Sequence, residues 1–65
     1  MTEVHVEHQP LDAGVPVVLR DYGRHVRLAF DPAQIEEGQA LVAAVAALPR
    51  LAGAMKVVYR HRADA

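Results

Sequence analysis

The sequence predicts a small α+β domain of order β-β-β-α-β, with one helix packed on one face of an antiparallel or mixed sheet. Three observations carry this. Val26, Leu28 and Phe30 alternate with His25, Arg27 and Ala29, the period-two pattern of a strand buried on one side. Phe30-Asp31-Pro32-Ala33-Gln34-Ile35 then reads as a helix start. Asp31 is a good N-cap, Pro32 suits the first helical position, and Gln34 stands at the capping-box position. From Ala40 to Leu48 every residue is apolar, which gives the helix no obvious water-facing side.

Residues 1–65 are read as a single domain: 1–14 an N-terminal strand and loop, 15–30 a β-hairpin, 31–53 helix, 54–62 a final strand, 63–65 a tail. Val4 and Val6 alternate with Glu3, His5 and Glu7, a half-buried strand. Residues 9–14 contain Pro, Asp and Gly and read as loop. Val15 to Arg20 is rich in β-branched residues, and Asp21-Tyr22-Gly23-Arg24 is a turn sequence. An even loop centred on Tyr22-Gly23 sets Leu19 opposite Val26, Val17 opposite Leu28 and Val15 opposite Phe30. It sets Arg20 opposite His25 on the other face. An odd loop would carry Arg20 onto the apolar face, so the even loop is preferred.

Glu36 and Glu37 favour the positive end of the helix dipole. Pro49 ends the helix near Leu48. A further turn over Pro49 to Ala52 is expected to close on Gly53 in the left-handed region. The last strand alternates Met55, Val57 and Tyr59 with Lys56, Val58, Arg60 and Arg62. Strand–helix–strand is a crossover unit, so its two strands should run parallel if they share a sheet.

Composition narrows the function classes. The chain has no cysteine, hence no disulfide or thiolate metal site. It has no serine, no glycine-rich phosphate loop and no carboxylate pair with a reason to be buried, so no enzyme, metal or cofactor is expected. The four histidines lack the spacing of a zinc signature. No apolar run approaches the roughly 18 residues that cross a bilayer, and the N-terminus lacks the regions of a signal peptide. Cytoplasmic residence with no membrane contact is the expectation. A chain of this size buries only about 60% of its unfolded surface, which favours help from another subunit.

Two surfaces stand out. Acidic and basic residues alternate in runs along the chain, and both basic runs fall on strands. By alternation, the sheet face away from the helix gathers Arg20, His25, Arg27, Lys56, Arg60 and Arg62, a candidate face for an acidic partner or nucleic acid. Glu3, His5 and Glu7 join it if the first strand shares the sheet. The net charge of −1 and the expected lack of aromatics on this face argue against nucleic acid and for a solvated face. On the helix, Ile35, Gly38, Leu41, Val42, Val45 and Leu48 form the stripe expected to cover the sheet. Ala40, Ala43, Ala44 and Ala47 are then left as a self-association face. The β-strand near residues 54–61, as an exposed edge, is the competing route to a dimer. The expected function is a non-enzymatic interaction or regulatory module, working as a homo-oligomer or docking on a protein partner. The alternative is a nucleic-acid-binding protein using the basic face.

Overall fold

The computed structural model describes residues 1–53 and 55–60, with the backbone alone for Arg60. Ala54, His61, Arg62 and the tail 63–65 lie outside the described residues. The elements follow in the expected order: β1 (Thr2–His8), β2 (Val17–Asp21), β3 (His25–Phe30), α1 (Glu37–Ala47), a 3-10 turn (Pro49–Ala52) and β4 (Met55–Arg60). They form one mixed sheet in the order β2-β3-β1-β4. β2 and β3 are antiparallel, and β1 lies parallel to both β3 and β4. The β3-α1-β4 crossover therefore has parallel strands, as expected, with β1 inserted between them.

Pleat and burial agree with the alternation. Val4, Val6, Val26 and Leu28 are fully buried and Phe30 nearly so, all on the helix side of the sheet. Val17, Leu19, Met55 and Val57 pack against this cluster from the two outer strands. The hairpin keeps its predicted faces, but its pairing is displaced by two residues. Val17 stands opposite Phe30, Leu19 opposite Leu28 and Arg20 opposite Arg27. The cause is local turn chemistry. Asp21 Oδ1 accepts the Gly23 N–H at 2.8 Å, and the Tyr22 N–H donates to the His25 carbonyl at 2.9 Å. This moves the turn one residue along, with Gly23 at φ +89°, a region that glycine enters without strain. A two-residue shift leaves every side chain on its own face. Val15 is the residue displaced, and it lies outside the strand at 41% exposure.

The helix starts later than Asp31-Pro32 predicts. Asp31 closes one isolated turn instead, its carbonyl accepting the Gln34 and Ile35 N–H groups. Its carboxylate is drawn to two elements at once. Oδ1 accepts the Ala33 N–H, while Oδ2 accepts the Leu11 N–H and the Gln34 Nε2, each at 3.0 Å. Gln34 in turn donates to the carbonyls of Leu11 and Asp12 and accepts the Gly14 N–H. The capping pair thus fastens the 9–16 loop across the sheet end, and the chain begins α1 afresh. Glu36 is the N-cap, and its N–H donates to Gln39 Oε1 at 3.3 Å. At the other end Leu48 donates back to Ala44, Pro49 opens the 3-10 turn, and Leu51 from that turn is fully buried. Gly53 closes the turn at φ −112°, so the expected left-handed cap is not used.

α1 is also rotated about its axis relative to the expected stripe. Ala40 and Ala44 are the helix residues that reach the core, at 0% and 1% exposure. Leu41, Val45 and Leu48 flank them, packed on the same cluster. Val42 is 70% exposed, and Gly38 faces open space. Small residues at positions four apart let the helix backbone settle close to the sheet, and the larger neighbours fill the margins. Ala40 and Ala44 are therefore not available as a self-association face. Ala43 is half-buried and Ala47 exposed.

Candidate interaction face

The candidate site is the sheet face opposite α1, and its composition follows from strand order. β1 runs through its middle and brings Glu3, His5 and Glu7 between the two basic strands. The pairings generate three rows across the sheet. His25, Glu3 and Lys56 form the first, and Arg20, Arg27, His5 and Val58 the second. Val18, Ala29, Glu7 and Arg60 form the third. Arg20, His25, Arg27 and Lys56 are thus brought to one face as expected. Arg60 reaches it by register, with its side chain undescribed, and Arg62 lies outside the described residues.

β1 neutralises part of this charge. Arg27 donates to Glu7 Oε1 at 3.1 Å, and His5 Nε2 lies 2.9 Å from Glu3 Oε1. The His5 hydrogen bond, with nearby positive groups, holds the Glu3 carboxyl below its ordinary range. These pairs are partly solvated and each contributes little to stability. Arg20 stands opposite Arg27 and makes no hydrogen bond or ion pair among the described residues. Two like charges opposed on adjacent strands repel.

The alternation pattern could not show one aromatic group. Tyr22, from the turn, folds back over this face and stacks on His25, with ring centres 4.9 Å apart and planes 16° apart. His25 lies 5.1 Å from His5 in turn. The three rings form a ridge between two shallow hollows. One, of about 400 Å³, is lined by Glu7, Gln9, Val18, Arg20, Tyr22, Arg27 and Ala29. The other, of about 570 Å³, lies at the chain start and includes Glu3, His5, Arg24 and His25. A stacking Tyr beside opposed arginines had no signal in periodicity, because Tyr22 belongs to a turn. The only usable hint was an aromatic at the tip of a basic hairpin.

Among the described residues the helix side carries charge only at its ends. Arg50, from the 3-10 turn, clasps Asp21 through two hydrogen bonds of 2.8 Å. That clasp, together with the Gly23 N–H, holds the Asp21 carboxyl at about 2. At the opposite end Glu37 accepts the Tyr59 hydroxyl at 3.2 Å and lies 3.6 Å from His8. The accepted hydrogen bond raises the Tyr59 hydroxyl above its ordinary range. Among the described residues no three of His, Asp and Glu converge as metal ligands, and no helix is long and apolar enough to cross a membrane. Comparison with family models, with curated proteins and with solved structures gives no match.

Proposed function

We propose that the protein is a non-enzymatic interaction module that works as a homodimer, two copies joining through the free edge of β4. The observation behind this reading is how little of the described chain covers β4. Of the four strands, the helix packs chiefly over β3, two places in from β4. Met55, Val57 and Val58 remain half-buried, and Tyr59 is 60% exposed. Yet β4 is built from strong strand formers and, among the described residues, pairs with β1 on one side only. An open edge of this kind is a template for another strand unless it is blunted. The other edge, β2, is blunted: it is five residues long, follows Pro16, and ends in Arg20 and Asp21.

A two-fold axis perpendicular to the sheet would pair β4 antiparallel with its copy and keep both helices on one side. Centring the pair on Val57 sets Met55 opposite Tyr59 and Lys56 opposite Val58. It avoids the alternative centre on Val58, which sets Lys56 opposite Arg60. Register gives a sharp test. Val58→Lys would oppose Lys56 of the partner subunit and should weaken the dimer, whereas Val58→Glu should tighten it. Val42→Glu, on the bare outer face of α1, should leave the mass unchanged. Sedimentation equilibrium over a concentration series reads all three. A monomeric wild-type mass at high micromolar concentration would remove this reading.

A further inference from the structure

We infer that the hollow between β2, β3 and the end of β1 binds single-stranded nucleic acid, with Arg20 and Arg27 on a phosphate and a base stacked on Tyr22. This goes beyond dimer formation and does not depend on it. Three features converge on the one hollow. Arg20 and Arg27 are opposed on neighbouring strands, and among the described residues a single carboxylate, Glu7, is bonded to Arg27. That leaves the Arg20 guanidinium in excess, and a bound anion would relieve the repulsion. The floor beside them is small and apolar, made of Val18 and Ala29 in the next row, so a phosphate can settle there within reach of both guanidiniums. At the rim, the Tyr22 ring is supported by His25 and still 53% exposed, which leaves surface for a further ring.

A guanidinium pair alone would suit a carboxylate as well as a phosphate. The supported ring decides between them. Base stacking beside a basic groove is how unpaired nucleic acid is held without reading sequence, and an acidic peptide has no use for the ring. The nearest further carboxylate in the turn, Asp21, lies on the opposite face and is clasped by Arg50, so it does not repel the ligand. Glu7 does oppose it, which makes the site weak and gives it a signature of its own.

The test is fluorescence anisotropy at low salt with end-labelled single-stranded DNA and RNA of mixed sequence, a duplex of the same length, and a labelled polyglutamate peptide. Both single strands are expected to bind more tightly than the duplex and the peptide. Tyr22→Ala should weaken binding about tenfold. Arg20→Ala should weaken it severalfold and lower the salt slope by about 0.7. Glu7→Gln should strengthen it. Arg20 and Tyr22 are exposed, and unchanged circular dichroism would exclude a folding artefact. Amide shifts in the wild-type protein provide a second readout, expected at residues 18–29 and not along α1. No binding of either single strand would overturn the inference. So would polyglutamate binding as tightly with Tyr22→Ala neutral, or amide shifts confined to the helix.

Discussion

The two faces of the sheet are made from alternate residues of the same four strands, and different physics holds each in place. On the helix side Val4, Val6, Val26, Leu28 and Phe30 are excluded from water and fixed by packing. On the open side Glu3, His5, Glu7, His25 and Arg27 are half-buried and arranged by charge. A shift of the hairpin by two residues leaves the first face intact, because any even shift returns the same side chains to the core. The second face is not indifferent to it. The same shift decides whether Arg20 faces His25 or Arg27, and hence whether a like-charge pair exists. Packing specifies which face a residue takes, and the turn specifies which neighbour it meets.

Substitutions that separate these two kinds of control should differ widely in cost. Phe30→Ala should be the most damaging, at about 3–5 kcal/mol, because it opens a cavity under α1. A urea melt with an unchanged midpoint would mean that the helix side is not the stabilising face. Asp31→Ala comes next. A simple helix cap would cost about 1 kcal/mol, but this carboxylate also serves Leu11 and Gln34 and is 8% exposed. Losing it should cost about 2–3 kcal/mol, since N–H groups are left unpaired near the core. The same melt measures this, and a value as small as a surface cap would show that the loop finds other partners.

Charge at the end of the helix side gives a pH-dependent effect. Asp21 is held at about 2 against an ordinary 3.8 by Arg50 and the Gly23 N–H. A folded-state value below the unfolded one stabilises the fold above the unfolded value, and the benefit is lost as pH falls through the folded one. The melting temperature should therefore drop between about pH 4 and pH 2, less steeply in Asp21→Asn. Equal slopes in the two proteins would show that the clasp is open in solution. The smallest effect belongs to the open face. A double-mutant cycle on Glu7 and Arg27 should return less than about 1 kcal/mol of coupling. A much larger value would mean that charge and packing contribute alike to the two faces.

The sequence makes the faces legible and the neighbours opaque. Alternation separates Val26, Leu28 and Phe30 from His25 and Arg27 whatever lies beside them. Nothing in that pattern says that β1 enters the middle of the sheet, because parallel pairing with distant strands leaves no local mark. The helix start was obscured for a related reason. Asp31 and Gln34 are correctly chosen capping residues, but their bonds go to Leu11, Asp12 and Gly14, some twenty residues earlier in the chain. The all-apolar run from Ala40 to Leu48 hid the helix rotation, since with no polar side to exclude, residue volume decides which residues approach the sheet. Of the open-face basic residues, Arg20, His25, Arg27 and Lys56 were legible by alternation. Tyr22 was not, because a turn residue has no assigned face.

The place of β1 has a consequence for how the chain is made. β1 emerges from the ribosome before either of its neighbours, with Glu3 awaiting His25 and then Lys56. β2 and β3 can close as a hairpin as soon as both are out, because their contacts are local. Even once β3 pairs with it, β1 keeps the edge that awaits β4 open through synthesis of α1, with Val4 and Val6 not yet covered by the helix. Only the arrival of β4 fills both sides of β1. Synthesis rate, and any factor that shields an extended segment on a nascent chain, should therefore govern the yield of folded protein more than its equilibrium stability does.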